Sequence, residues 1–170
     1  MNLNFENKLD DIYILLEVHK PDIVSIQEAN YDIHSKLKIR GYSVEYDTLT
    51  INYNIACTIL LIREGINNKR KSNCEENYIS SIWVEIFIKN RSILLGSYYR
   101  QWSLPSKLSI ENSNRVKNQI SRYTKYCNQV NKVCKEGKNT IILTDDNINS
   151  IDDHSNTNFN KNLDLKCLRD

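Results

Sequence analysis

The chain has 170 residues, 40% of them hydrophobic, which suits one soluble domain with a core. No apolar run approaches the roughly 18 residues of a membrane span. Residues 1–6 lack the basic start and apolar core of a signal peptide, so a soluble, intracellular protein is expected. Five cysteines, odd in number, scattered and without a Cys-x-x-Cys pair, argue against a disulfide framework or a zinc site and read as reduced thiols. The net charge of +2 is unevenly spread. Residues 1–32 carry seven acids against two lysines, 107–138 carry eight Lys/Arg against two Glu, and 144–170 carry six Asp against three Lys/Arg. Acidic ends meeting at a metal beside a basic middle would suit a polyanion; a solvated mixed-charge surface accounts for the same counts.

The helical spacing of Leu9, Ile12, Tyr13 and Leu16 predicts an amphipathic helix over 7–20, stopped by Pro21 and packed on a sheet. Residues 23–26 read as a strand, 31–39 as a short polar helix stopped near Gly41, and the alternating 42–46 as another strand. The nearly all-apolar 54–62 reads as a strand buried on both faces. The polar stretch 63–77 reads as a loop. Its cluster Lys69, Arg70 and Lys71 fits either contact with a nucleic-acid backbone or an exposed hairpin loop. Next, 80–88 alternates Ile82, Val84, Ile86 and Ile88 with Trp83, Glu85 and Phe87, and Asn90-Arg91 turns it into 92–99, which predicts a hairpin. Between 110 and 136 the residues Val116, Ile120, Tyr123, Cys127, Val130 and Cys134 form one apolar helical stripe. Arg115, Lys117, Arg122, Lys125, Lys132 and Lys135 lie mostly off it. Gly137 caps this helix and the strand 140–143 follows, so the element order predicts a layered α/β domain without internal repeats.

Two stretches share one grammar. Pro21-Asp-Ile-Val-Ser-Ile-Gln-Glu28 and Asn139-Thr-Ile-Ile-Leu-Thr-Asp-Asp-Asn147 are apolar runs that deliver carboxylates at their exits, the edge where ligands bind in α/β sheets. Together they suggest one shared site, and carboxylate oxygens are the hard ligands that Mg²⁺ prefers. Taken singly, each candidate has a plainer reading. Asp145-Asp146-Asn147 would make an Asx turn, Glu28 a surface acid, and Tyr98, Tyr99 and Arg100 either a phosphate contact or packing aromatics beside Trp102. A calcium loop from Asp145 is rejected, because Ser150 stands where the turn glycine belongs and Asn156 where the last Glu belongs. His19, His34 and His154 show no metal-ligand spacing, and His154 reads as solvent-exposed.

In combination and in order, Asn2-x-Asn4, Gln27-Glu28, Tyr99 and Asp145-x-Asn147 resemble the endonuclease/exonuclease/phosphatase superfamily. Residues 21–29, 97–102 and 141–147 look most like the endonuclease domains of non-LTR retrotransposons, encoded beside a reverse transcriptase. The resemblance implies two facing β-sheets flanked by helices, a four-layer αββα sandwich. It also implies cleavage of DNA phosphodiesters with Mg²⁺ or Mn²⁺, without a small-molecule cofactor or a membrane. Glu28 would ligate the metal and Asn2 would join the metal and phosphate network. Tyr99 would contact the scissile phosphate, Asp145 would orient or deprotonate the attacking water, and Asn147 would hydrogen-bond the phosphate as charge grows. Arg100, Arg115, Lys69 and Arg70 would contact the nucleic-acid backbone. Such a nick leaves a 3′-hydroxyl that can prime reverse transcription, which would place the protein in the nucleus if chromosomal DNA is its target.

The departures from that pattern carry information too. Thr144 and Phe5 stand where glycine is usual, and no histidine matches the Ser-Asp-His motif that ordinarily lies well beyond Asp145. A first strand before Asn2 is also expected in that family. The domain is therefore expected to be incomplete at both ends, and a non-catalytic nucleic-acid-binding or inert remnant is the alternative reading. A sister phosphoesterase acting on a small phosphorylated ligand is a third.

Overall fold

The first helix, α1 (Leu9–His19), stops where the sequence says it must. Lys20 turns into the left-handed region and returns its N–H to the Leu16 carbonyl at 3.0 Å, and Pro21 cannot continue the helix. In this computed structural model the described residues are 8–47, 55–76, 79–99 and 110–145, with 110–120 described by their backbone alone. Leu9, Ile12 and Leu16 pack inward, whereas Ile14, Leu15 and Val18 lie exposed on the outer face.

Three strands, β1 (Ile23–Ile26), β3 (Tyr42–Tyr46) and β5 (Ile59–Arg63), form an antiparallel sheet in the order β1-β5-β3. A second sheet of four strands has the order β6-β7-β8-β9, from Asn68–Arg70, Ser80–Ile88, Arg91–Tyr99 and Asn139–Asp145. Its β7–β8 pair is the predicted hairpin. β9 lies parallel to β8, as the crossover through α2 (Ile110–Cys134) requires. A small two-stranded sheet pairs β2 (Tyr31–Asp32) with β4 (Ile55–Ala56).

Alternation along the strands assigns the layers. In the three-stranded sheet Ile59 and Leu61 face α1, while Leu60 and Ile62 face the other sheet and pack on Ile82, Val84, Ile86 and Leu95. The opposite face of the four-stranded sheet gives Trp83 and Leu94 to Val133 of α2. The order of layers is α1, sheet, sheet, α2, so the expected αββα sandwich is present. One close approach in it has a sequence cause. Gly96 lies across from Trp83, and a methyl group there would sit 2.6 Å from the Trp83 Cζ3, so only glycine lets the indole lie flat on β8.

Several local expectations are corrected. Residues 31–39 form no α-helix: two residues join β4, and Asp32 then caps a 3₁₀ turn by accepting the His34 N–H at 2.9 Å. The run 54–62 is two strands, because Cys57 and Thr58 break the ladder to bond Ala29 and Asp47 instead. The loop 63–77 contains β6, which extends the second sheet. Among the described side chains of α2 the buried ones are Gln129, Val130 and Val133, while Cys134 is exposed and Val116 and Ile120 lie outside the described side chains. The Trp83 indole explains the shift, since its Nε1 donates to Gln129 Oε1 at 3.0 Å and draws a polar residue inward. Tyr126, one turn earlier, stacks on Tyr98 with ring centroids 4.1 Å apart. The four described cysteines are free thiols, as expected. Among the described residues no helix is long and apolar enough to cross a membrane.

Candidate active site

Between the two sheets the side chains change character along the strands. Beyond the aliphatic cluster the facing residues become Ser25 on β1 and Ser97 on β8, whose hydroxyls hydrogen-bond at 2.5 Å, and Gln27 Nε2 donates to Ser25 at 2.7 Å. One step further, the chain leaves β1 at Glu28. Its φ of +56° is a left-handed conformation that L residues with side chains rarely take, and it swings the carboxylate across to the other sheet. There the Tyr99 hydroxyl, at the last residue of β8, donates to Glu28 Oε1 at 2.8 Å.

Asp145 completes the cluster. It is the last residue of β9 and the register partner of Tyr99 in the parallel pair, so both stand at the same edge of the sheet. The electrostatics follow from this crowding. Burial first, then the hydrogen bond and charge of Glu28, with Cys57 and Asp145 behind them, push the Tyr99 phenol far above its ordinary value. Tyr99 is therefore a neutral hydrogen-bond donor at any working pH. The Cys57 thiol, buried beside the pair, is raised to about 11, mainly by burial and then by Asp47, with Arg122 opposing and Glu28 adding to the rise. It is inert as a nucleophile near neutrality.

No family model matches this sequence, and no curated protein matches it. Solved structures do. The endonuclease domain of TRAS1, a telomere-specific non-LTR retrotransposon, is 20% identical with a TM-score of 0.55, covering 82% of this chain and 54% of that one. The TDP2 of D. rerio, in complex with a single-strand DNA product, is 14% identical with a TM-score of 0.54, covering 89% and 58%. The human Nocturnin catalytic domain is 14% identical with a TM-score of 0.51, covering 81% and 56%. The fold is of the endonuclease/exonuclease/phosphatase type. The chain spans little more than half the length of these structures.

On this endonuclease/exonuclease/phosphatase-type fold the structure brings together three of the residues singled out from the sequence: Glu28, Tyr99 and Asp145. Asn2, Asn147 and Arg100 lie outside the described residues, and Arg115 sits on the N-terminal half of α2, where the backbone alone is described. Lys69 is exposed on β6, opposite Glu85. Glu85 is five residues along β7 from the partner of Tyr99, or about 17 Å at strand spacing.

Arg70 differs most from its expected role. Its Nε and Nη2 bind both oxygens of Glu75 at 3.0 Å, Nη1 binds Glu45 at 2.8 Å, and Nη2 also donates to the Tyr46 carbonyl at 2.8 Å. This guanidinium joins β6 to the end of β3 and is committed within the protein. Sequence reasoning missed it because the acids that claim it lie 5 and 25 residues away. It missed equally the buried polar residues Asp47, Thr58 and Ser80 under the site, whose only signal was their position at strand ends.

Among the described residues no group of three or more His, Cys, Asp and Glu forms a ready metal cage. The donor set fits Mg²⁺ nonetheless. That ion is usually held by one or two carboxylates with substrate phosphate and water completing the shell, and Glu28 presents a hard oxygen donor on the edge that it shares with Asp145.

Proposed function

We propose that this protein is a Mg²⁺- or Mn²⁺-dependent endonuclease that hydrolyses DNA phosphodiesters, acting as the nicking domain of a retroelement. The convergence of Glu28, Tyr99 and Asp145 at one sheet edge carries the reading. It gathers a hard carboxylate, a phenol that keeps its proton near neutrality and a second carboxylate from three separate elements. Likeness to the TRAS1 endonuclease domain supports the retroelement role, and likeness to a TDP2 structure holding a DNA product supports the substrate class.

The residues divide the chemistry between them. Glu28 would hold the cation, which when bound neutralises charge on the phosphate and lowers the barrier to attack. With the Glu28 carboxylate turned to the cation, the Tyr99 hydroxyl would release it and donate its one hydrogen bond to a non-bridging phosphate oxygen as negative charge develops there, and its raised pKa keeps that proton in place. Asp145 orients a water for in-line attack on phosphorus and takes its proton; the P–O3′ bond breaks and the departing 3′-oxygen takes a proton from solvent, leaving a 5′-phosphate and a 3′-hydroxyl. Asn2 and Asn147 would add hydrogen bonds to the same phosphate. A free 3′-hydroxyl can prime synthesis by a reverse transcriptase fused to or encoded with this chain.

Conversion of supercoiled plasmid to the open circle tests the reading. Nicking that requires Mg²⁺, stops with chelator and is lost in Glu28→Ala and Asp145→Ala is expected. Equal nicking by both variants overturns it. DNA binding that weakens steeply with salt, without any cleavage, would instead identify a binding remnant.

A further inference from the structure

Beneath the Glu28–Tyr99 pair lies a buried polar knot that the chemistry above does not use. Asp47, the residue after β3, is 5% exposed. Its Oδ2 accepts the Ser80 hydroxyl and also the Thr58 N–H, the latter at 3.2 Å. Its own N–H donates to the Thr58 carbonyl at 3.1 Å, and the Thr58 and Ser80 hydroxyls bond each other at 2.5 Å. Among the described residues Asp47 Oδ1 has no hydrogen-bond partner of ordinary geometry. A carboxylate held this deep by neutral groups is costly relative to one in water. Expensive arrangements of this kind gather around functional sites.

The knot supports both halves of the pair. Ser80 is the cross-strand partner of Tyr99. Thr58 follows Cys57, whose carbonyl accepts the Ala29 N–H at 3.0 Å, and Ala29 follows Glu28. Because Glu28 sits in a left-handed conformation, its place depends on that bond and not on local backbone preference. One carboxylate oxygen thus ties the strand under Tyr99 to the turn that carries Glu28, across the gap between the sheets.

We propose that Asp47 is a positioning residue that sets the separation of the Glu28 carboxylate and the Tyr99 phenol through Ser80 and Thr58. Its catalytic consequence rests on the nuclease reading; its geometric content does not. The test uses the full chain labelled with ¹³C at tyrosine Cζ, the Tyr99 signal being the one lost in Tyr99→Phe. In Asp47→Ala and Ser80→Ala the Tyr99 signal is expected to move, and in Asp47→Ala the nicking kcat falls about 100-fold with KM nearly unchanged. Asp47→Asn, which still offers an acceptor to both donors, restores most of the signal position and the rate. Lys138→Gln, in the ion-pair cluster around Glu85 and Glu136, changes neither. If Asp47→Ala does not fold, Ser80→Ala carries the test alone. An unmoved Tyr99 signal, an unchanged kcat in an active protein, or failure of asparagine to rescue overturns the proposal. If the wild-type chain nicks no DNA, the nuclease reading fails, and the Tyr99 signal alone decides whether Asp47 sets the pair.

Discussion

The hydroxyl of Tyr99 meets Oε1 of Glu28 at 2.8 Å, although 71 residues separate them and Glu28 lies in the turn that follows a strand of the other sheet. This bond crosses the sandwich at the edge where Asp145 also ends its strand, so two of the groups stand at strand ends and the third in a turn tied by the Ala29 N–H to the Cys57 carbonyl. Rigid support is what electrostatic stabilisation of a transition state requires.

Removing the Tyr99 hydroxyl tests its role most directly. Tyr99→Phe keeps the ring that packs under the site and deletes one donor. Nicking is expected to fall by about 10²–10³-fold, as for loss of a donor to developing oxyanion charge. Unfolding free energy changes by only about 1 kcal/mol, the scale of one hydrogen bond. Steady-state nicking beside urea denaturation separates the two effects; a large loss of stability with little loss of rate would assign the tyrosine to structure.

Asp47 makes stability depend on pH in an unusual direction. Burial is the main cause that raises its carboxyl from 3.8 to about 6, against the opposing Ser80 hydroxyl, the Thr58 and Cys57 amides and the Arg70 charge. Between those values the folded protein keeps a proton that the unfolded chain has released, so stability falls as pH rises through this window and stays lower above it. The difference is on the order of 3 kcal/mol. Asp47→Asn should therefore be more stable than wild type at pH 8, with the gain vanishing near pH 4. Urea midpoints at both pH values measure it, and an advantage independent of pH would contradict the charge argument.

Arg70 is predicted to matter for folding and not for DNA. Arg70→Met leaves the Glu75 carboxylate buried and Glu45 without its partner, at a cost of about 3 kcal/mol. The salt slope of DNA binding should not change, since this cation already has protein partners. A slope reduced by one unit in a folded variant would restore Arg70 to the nucleic-acid surface.

Gly96→Ala probes the indole packing. The new methyl would overlap the Trp83 ring, which also holds α2 through Gln129. Overpacking of this kind costs about 1–3 kcal/mol. The loss should appear together with altered Trp83 fluorescence, and Gly96→Ala with wild-type stability and spectrum would show that the ring has room to move.

Much of this architecture was legible in residue order. Apolar runs that end in acids gave β1 and β9, and the alternation around Asn90-Arg91 gave the hairpin, because local pattern and tertiary place agree there. Glu28, Tyr99 and Asp145 were visible for the same reason, Tyr99 and Asp145 being the last residues of their strands and Glu28 lying two residues past the end of its own. The break at Cys57 and Thr58 was invisible, since an apolar run carries no mark of which partner each half will find. On α2 Val130 is buried as its stripe predicts, but Gln129 and Val133 join it in place of Cys134, because a buried indole, distant in sequence, claims Gln129. Arg70 and Asp47 were hidden by their ordinary surroundings, since what distinguishes them is contact made at long range.

The parallel pairing of β8 with β9 orders events in time. The β7–β8 hairpin needs only its own turn to close, whereas Asp145 reaches Tyr99 after the whole of α2 has been made and docked. Closing that long crossover is the slower step. During synthesis the chain therefore passes through a stage with Tyr99 already seated and its carboxylate neighbour on β9 still absent. On the proposed reading, competence would arise only once the crossover has closed, so a nascent chain carries the Tyr99 phenol without the Asp145 carboxylate.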